Sequence, residues 1–589
     1  MHGIDFETQA IGDRPHGYPP EPVGVALSGP GRYLHWGHHD SKPAQIELMP
    51  ALAAMREMFL EPCCFHNAAF DLAVAGERLG LKPPRVIHDT MFLAFLLDPY
   101  GDISLKPLAT RYLQQPPTER DAVHAWLLER KLIRKGLKRW GGFISKAPGA
   151  IVGPYAIGDV QRTLDLFKFL YPRVVDAGMQ RAYIRECSLL PMLLDNSRQG
   201  VPLDRKRLAA DTSDYEKILT GVDRTLHRAL GQINIDSGEE LADALERIYR
   251  VELPKTPTGK RSTAKQALLD ALPNVPVKGW LLYRSALEKT LSTYMRPWLE
   301  HGTALHCNWN QIKTDEAGAR TGRLSSSPNL QNITSPETYA TLAAAMKLCG
   351  IKGKWLLPNL RSYIVAPKGW RLFSLDYSQQ ELRMLAHFED GVLAKAYRDD
   401  PALDLHKFVA GLAKIERRHA KTINFAKIYG AGRAKLAQQL GLPQAESDAI
   451  VNAYENALPS VKGLQREVQT IARNGEFVTT LGGRRYFSPP AEIVDGRLRD
   501  FNYKTLNYLI QGSSADQTKE AMVCWHGDIA GRSDVRFLLS EHDELVGMAP
   551  VKTVKREAAK LQHMMVEAFT LDVPVHVDIK YGLNYGEMK

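Results

Sequence analysis

The sequence predicts a multidomain α/β and α+β chain, with the α/β domain at the front. Three observations carry that prediction. Over residues 1 to about 165, short apolar runs are followed by helical patterns, the alternation of an α/β unit. From about 160 to 250 the pattern turns helical, and near 301–335 the composition shifts to Thr, Ser, Asn and Gln, as at a domain boundary. Beyond it, two strand-like runs far apart in the chain end at acidic residues. At about 150 residues per domain, 589 residues suggest roughly three to five domains.

Each element follows in order. The first apolar runs end near Ile4, at Val23-Gly24-Val25-Ala26-Leu27 and at Cys63-Cys64-Phe65. Helical stretches include Asp165 to Leu170 and Glu186 to Leu194. The basic loop from Leu253 to Thr263 contains Pro254, Pro257 and Gly259-Lys260; it lacks the upstream Gly and preceding strand of a phosphate-binding loop, so that reading is rejected. Trp370 to Asp376 reads as a strand, 404–475 as helical, and Leu481 to Pro490 as a Gly/Pro-rich turn region. A helix is predicted over roughly 504–527, and Val535 to Ser540 leads as a strand into His542-Asp543-Glu544.

Composition narrows the class. Hydrophobic residues at 44% and charged residues at 24% are globular values, and 45 Gly with 35 Pro exclude collagen-like and largely disordered chains. Six scattered Cys exclude a disulfide scaffold and zinc-type pairs, and point to a reducing compartment. The net charge of +10 favours a polyanionic partner or an acidic membrane surface. The longest aliphatic run, Met91 to Leu97, is far short of the roughly 20 apolar residues of a membrane span. The chain opens on a strand-like segment carrying Asp5 and Glu7, without a basic-then-apolar leader. The expectation is a soluble, cytoplasmic, nucleic-acid-facing protein.

The first acidic constellation lies at the front. Asp5 and Glu7 are two apart in a strand, which puts both carboxylates on one face, where like charges need a cation. Asp71 follows in Asn67-Ala68-Ala69-Phe70-Asp71, and Asp159 lies four after Tyr155, on the same face of a helix. Four carboxylates and a Tyr could hold two divalent cations for phosphodiester hydrolysis; surface helix acids are the plain alternative. Asp5-x-Glu7-Thr8, Asn67-x-x-x-Asp71 and Tyr155-x-x-x-Asp159, in this order, resemble the three motifs of DnaQ-like (DEDDy) 3′–5′ exonucleases. The resemblance implies that Tyr155 orients the attacking water and that Asn67 positions the strand end. Asp89 reads as a local cap, with a supporting place behind the metal carboxylates as the alternative.

The second constellation joins Asp376, in Asp376-Tyr377-Ser378-Gln379-Gln380-Glu381-Leu382-Arg383, to Asp543 in Glu541-His542-Asp543-Glu544. Between them Arg417, Lys421, Phe425 and Tyr429 recur at every fourth residue, a slowly drifting helical stripe that ends at Gly430. Two cations followed by two aromatics suit a surface that grips a triphosphate at one end and a base or sugar at the other. A basic amphipathic helix on nonspecific nucleic acid is the alternative. Together with Thr321-Gly322-Arg323-Leu324-Ser325-Ser326 and Asn329-Leu330-Gln331-Asn332-Ile333, the pattern over roughly 180–589 resembles family A DNA polymerases, the DNA polymerase I type. Asn507-x-x-x-Gln511-Gly512 matches the family's minor-groove and template contacts, and Arg284, Lys289 and Tyr294 resemble its thumb segment.

The resemblance implies an RNase H-like exonuclease domain at 1–170, followed by a right hand: thumb 171–310, palm 311–403, fingers 404–495 and palm again 496–589. It implies two Mg²⁺ at Asp376, Asp543 and the Tyr377 carbonyl, and two more at Asp5, Glu7, Asp71 and Asp159, with Mn²⁺ able to substitute. Arg417 and Lys421 would neutralise phosphates, with Lys421 the proton donor to pyrophosphate. Phe425, Tyr429, Glu381, Gln379 and His406 would surround the nucleotide. Arg323, Asn332, Asn507, Gln511, His542, Arg284, Lys289, Arg484 and Asn67 would contact DNA, with Arg485 and Lys504 as further phosphate candidates. The implied partners are primer–template DNA, dNTPs and a single-stranded 3′ end, and processivity, helicase or single-strand-binding proteins; the chain would act as a monomer, resembling a short phage-like replicase.

Departures from the family pattern are Gln380 for Ile, Ala426 for Gly, and Ser540-Glu541 for Gln-Val. None removes an implied metal ligand. A single-subunit RNA polymerase shares the metal carboxylates and phosphate lysine, but Glu381 and the proofreading-type front weigh against it. A repair or translesion polymerase would use extra loops, and the fingers region has no large insertion. An inert DNA clamp predicts broken carboxylate sets, whereas both are intact.

Overall fold

The computed structural model of the protein describes residues 1–588 except 30, 117–118, 138–139, 257, 315–316, 334–335, 352–356 and 495. Pro257 of the basic loop, and 315–316 and 334–335 of the polar boundary, lie outside the described residues. Two compact units divide the chain: Met1–Gln199 with His306–Gln331 and Phe373–Lys580, and Gly200–Leu305 with Asn332–Leu372 and the residues from Tyr581.

The first apolar run forms the centre of a sheet. Strands β1 (His2–Thr8), β2 (Pro22–Leu27), β3 (Arg32–His35), β4 (Cys63–Phe65) and β5 (Ile87–Asp89) lie in the order β3-β2-β1-β4-β5. β1 pairs antiparallel with β2 and parallel with β4, and β5 runs parallel to β4. Strand alternation sends Ile4 and Phe6 into the main core and leaves Asp5 and Glu7 on the other face. That face is covered by α6 (Gly149–Asp176), whose Ala156 and Val160 form a small buried cluster with Ala26. A methyl group at Gly3 would lie 2.9 Å from a Val160 methyl, so glycine lets α6 settle close on β1. The same helix thereby brings Tyr155 and Asp159 over Asp5 and Glu7.

The second unit is mainly helical. Its helices include Arg205–Leu230, Gly238–Tyr249, Pro276–Thr290 and Pro336–Leu348. Two start at side-chain caps: the Asp204 carboxylate accepts from the Arg207 N–H at 3.1 Å, and the Ser237 hydroxyl accepts from the Glu240 N–H at 3.3 Å. Arg284 of this unit donates to Asp223 at 2.6 Å and to Asp236 at 2.6 and 3.1 Å. These ion pairs occupy its donor fork, so a DNA contact by Arg284 would have to exchange a carboxylate for phosphate. Lys289 is exposed, and the Tyr294 hydroxyl donates to the Asn332 carbonyl at 2.7 Å.

The remaining part of the first unit is α+β. A four-stranded sheet runs in the order Arg536–Glu541, Glu544–Pro550, Trp370–Tyr377, Val577–Gly582. The helix expected at 504–527 is Thr505–Ile529, and its Trp525 meets Phe373 and Phe537 of the sheet edge-on. The helical stretch 404–475 resolves into Leu405–Ala413, Arg417–Ile428, Arg433–Leu440, Gln444–Ala457 and Pro459–Arg473.

The front and rear parts of this unit share a buried ionic cluster. Glu186, on α7 (Gln180–Gln199), accepts from Lys519 at 2.8 and 2.9 Å and pairs with Arg484. Asp516 pairs with Arg185 at 2.7 Å and with Arg484 at 2.5 Å. Every side chain in it is at most 1% exposed. The cluster corrects the reading of Arg484 as a phosphate contact: no phosphate reaches it. The expected boundary at 170/171 falls inside α6, and α7 stands with the first unit.

Candidate active sites

The front site is built on β1. Asp5 and Glu7 share its α6-facing side, and Asp71, on the short helix Ala68–Ala73, is tied to them because its carboxylate accepts from the Phe6 N–H at 3.0 Å. Burial, with Asp159 adding repulsion, pushes the Asp5 carboxyl up to about 7. Burial and the neighbouring carboxylates also push Glu7 and Asp71 well above the usual carboxylate range. These are hard oxygen donors held together against their mutual repulsion, the chemistry that suits Mg²⁺ or Mn²⁺. Among the described residues, no three acidic, imidazole or thiol side chains are already closed into a metal cage.

Lys106 is the residue that sequence reasoning missed here. Its ammonium donates to the Tyr155 hydroxyl at 2.9 Å, pairs with Asp159, and lies 4.7 Å from the Tyr155 ring centre. It opposes the upward push on Asp5 and Glu7. Arg162, also missed, donates to the other Asp159 oxygen at 3.3 Å and to Glu119 at 2.5 Å. Lysine in Ser104-Leu105-Lys106 carries no local signal of its role, whereas Arg162, three after Asp159, was visible as a helix neighbour. Asp89 is a cap: it accepts from Met91 N–H at 2.8 Å, Asn67 N–H at 3.1 Å and Ala68 N–H at 2.7 Å. Asn67 is exposed at the turn before Asp71, in the left-handed region at φ 71°.

The rear site forms where two chain-distant turns meet. Asp376 is next to the end of its strand, and Asp543 lies in the turn between Arg536–Glu541 and Glu544–Pro550. The Tyr377 N–H donates to the Asp543 carbonyl at 3.2 Å, which joins them. Burial, then Asp543 and Glu544, pushes the Asp376 carboxyl up to about 8, with Lys580 opposing. Asp543 is pushed up to about 6 by burial, against its backbone hydrogen bond and Arg323. Asp578 and Lys580, on the neighbouring strand Val577–Gly582, complete this electrostatic neighbourhood and carried no sequence signal. His542 is exposed in the turn at φ 59°, and Glu541 is buried beside it.

Beside Asp376 the chain makes a wall. Gln379 turns left-handed at φ 56°, its amide donating to the Leu403 carbonyl at 2.9 Å. Glu381 pairs with Arg323 through one oxygen and accepts from the Tyr429 hydroxyl at 3.0 Å through the other. Gln380, the departure in this segment, is buried and donates to the Ser514 carbonyl at 3.2 Å and the Gln517 side chain at 3.0 Å, both on the Thr505–Ile529 helix.

The cation–aromatic stripe is on the Arg417–Ile428 helix, with Tyr429 at its C-terminal end. Phe425 and Tyr429 stack with ring centres 6.2 Å apart and line a cavity of about 370 Å³ with Thr422, Ala426 and Lys435. Ala426, another departure, is buried in that wall. Lys421 is exposed, while Arg417 donates to Asp404 at 2.8 and 2.9 Å. His406 contacts Asn424 at 3.0 Å and its ring lies 5.7 Å from that of Phe425. Gln511 lies close to the Tyr429 hydroxyl. Arg485 stacks on Phe477 at 4.1 Å and Lys504 lies over Phe501 at 4.2 Å.

Two family models, three relatives and one solved structure match the chain. Residues 205–587 match the family model described as DNA polymerase family A, and residues 25–174 match the one described as 3′-5′ exonuclease. DNA polymerase I of Pseudomonas aeruginosa is 30% identical over 96% of this chain and 61% of its own length. DNA polymerase I of Chloroflexus aurantiacus is 30% identical over 94% of this chain and 58% of its own, so the chain spans about three fifths of these two relatives. A DNA-directed DNA polymerase of Pseudomonas phage M6 is 29% identical over 99% of this chain and 93% of its own. In fold, the POL domain of Pol1 from M. smegmatis, solved with DNA primer-template and dNTP, superposes with a TM-score of 0.77 at 24% identity, covering 99% of this chain and 95% of that one.

Proposed function

This chain belongs to DNA polymerase family A, and from that premise we propose that it is a template-directed DNA polymerase with a 3′–5′ proofreading exonuclease. The observation that carries the reading is the meeting of Asp376 and Asp543 through the Tyr377 N–H, beside a Glu381–Tyr429 wall. In this reading the front domain is 1–170, the thumb 171–310, the fingers 404–495, and the palm is shared by 311–403 and 496–589.

Mg²⁺, or Mn²⁺ in its place, bound by Asp376, Asp543 and the Tyr377 carbonyl would supply Lewis-acid activation of the primer 3′-OH and charge neutralisation at the triphosphate. Lys421 is exposed on the fingers helix, where its ammonium can meet the outer phosphates and give a proton to the departing pyrophosphate. Arg417 joins it by exchanging Asp404 for phosphate. Phe425 packs against the sugar, and Tyr429 holds the templating end of the same cavity. Glu381 closes the sugar's 2′ side. His406 and Gln379 support this wall from behind. Arg323, Gln511, Asn507 and His542 hold the primer end and minor groove, with Asn332 and Lys289 as further DNA contacts.

At the front site, Asp5, Glu7, Asp71 and Asp159 would hold the second pair of cations, Tyr155 would orient water, and Asn67 would steady the single-stranded 3′ end. The substrates are then primer–template DNA and dNTPs, and the place of action is the cytoplasm. A primer-extension gel with and then without dNTPs tests both activities. Asp376→Ala or Asp543→Ala should abolish extension and spare trimming, while Asp5→Ala with Glu7→Ala should do the reverse. A D5A/E7A protein that trims at the parent rate sinks the front assignment, and a D376A protein that extends primers sinks the rear one.

A further inference from the structure

Between the fingers and the Thr505–Ile529 helix the chain throws out a two-stranded ribbon, Glu492–Val494 paired antiparallel with Arg497–Arg499. Ile493 lies opposite Leu498, and both are 77% exposed. An isolated ribbon gains almost nothing by folding with an apolar pair in water, so this pair is explained by what it touches. Strand alternation puts Arg497 and Arg499, both exposed, on the opposite face. One face is therefore apolar, and the other carries Arg497 and Arg499, with Val494 opposite the first and Glu492 opposite the second.

Its position gives the occupant. Tyr503 abuts Gly430, where a methyl group would lie 2.6 Å from its ring and carbonyl, and Gly430 directly follows Tyr429. Arg499 stands four positions before Tyr503, at most about 14 Å of extended chain. The base of the ribbon therefore stands beside the end of the fingers helix, near the templating place that the polymerase reading gives to Tyr429.

The geometry points to a strand-separating wedge: resting on the polymerase reading, the ribbon meets the duplex ahead of the templating base. Ile493 and Leu498 press between bases at the fork, and Arg497 and Arg499 take the phosphates of a strand. Paired aliphatic side chains are what proteins push into base steps to unstack them, and arginine on the reverse face matches the polyanion.

The test compares Ile493→Ser/Leu498→Ser with its parent, both carrying Asp5→Ala and Glu7→Ala to silence trimming. Extension is timed on an open template and on the same template with a DNA strand annealed ahead of the primer. A 2-aminopurine at the fork reports unstacking on binding without turnover. The wedge predicts open-template extension within about twofold of the parent, displacement synthesis slowed about tenfold or more, and loss of the fluorescence rise. Equal rates on both templates for parent and variant overturn it, as does a parent that cannot displace a strand. A variant altered only in sedimentation would assign the pair to a second copy of the chain and also overturn it. Failure of the parent on the open template would instead reject the polymerase reading on which the wedge rests.

Discussion

At the scale of single residues, Glu381 and Lys106 make separable predictions. Glu381 is bonded on both oxygens, to Arg323 and to Tyr429, and under the proposed function it is fixed where a ribose 2′-OH would arrive. Leaving that hydroxyl buried without a partner costs about 1–3 kcal/mol. Glu381→Ala should lower the dNTP/rNTP efficiency ratio by roughly five- to a hundredfold, with some loss of dNTP use as Tyr429 loses its acceptor. Phe425→Tyr should leave that ratio alone and improve use of dideoxynucleotides, read from single-nucleotide incorporation. Lys106 lies between Tyr155 and Asp159 and opposes the upward push on Asp5 and Glu7. Lys106→Met should slow trimming about tenfold or more, because hydrogen bonds to charged groups are worth about 1.5–3 kcal/mol. It should also move the acid limb of the trimming pH profile upward, since Asp5 and Glu7 then hold their protons to higher pH. Polymerisation by that variant should match the parent; a matching loss in both activities would mean that Lys106 is merely structural.

At the scale of elements, the turn that joins Asp376 to Asp543 makes stability depend on pH and on metal. A carboxyl raised on folding binds its proton more tightly in the folded chain than in the unfolded one. Its contribution is complete below the ordinary Asp value near 3.8 and is lost as pH rises through the folded values, about 6 for Asp543 and about 8 for Asp376. Mg²⁺ should therefore raise the melting temperature more at pH 8 than at pH 5. Asp376→Asn in EDTA at pH 8 should melt above the parent and lose part of the metal-induced gain; equal shifts at both pH values would contradict this. Most of these elements were legible. β1, β2 and β4 came from apolar runs, Asp5 with Glu7 from strand spacing, Tyr155 with Asp159 from helix spacing, and the pairing of Asp376 with Asp543 from the family resemblance. β3, with its polar alternation Arg32-Tyr33-Leu34-His35, and the three-residue β5 gave too little pattern. Lys106, Asp578 and Lys580 were illegible because each reaches its site only through tertiary packing. Arg484 was misread because a basic pair beside a Gly-rich turn looks like a surface, and burial has no signature in one residue's identity.

At the scale of the whole molecule, the buried ions of α7 and the Thr505–Ile529 helix act as a structural joint. Burial raises the protonation tendency of Glu186 and Asp516, but Lys519, Arg484 and Arg185 outweigh it and hold both carboxyls below their ordinary range. Their contribution is present above the ordinary carboxyl values and lost as pH falls through the depressed ones. Arg484→Met breaks pairs with both acids and should cost about 3–5 kcal/mol, seen as a lower urea midpoint, while the salt dependence of duplex binding stays unchanged. A changed salt slope with normal stability would restore Arg484 to the DNA surface. The same joint has a consequence for synthesis on the ribosome. Glu186 leaves the exit tunnel 298 residues before Arg484 and 333 before Lys519, so it is an unmatched charge through much of translation. The front sheet, whose strands all lie within the first 89 residues, can close early. α7 must wait in water with its carboxylate hydrated, and the last third of the chain, once made, draws it in.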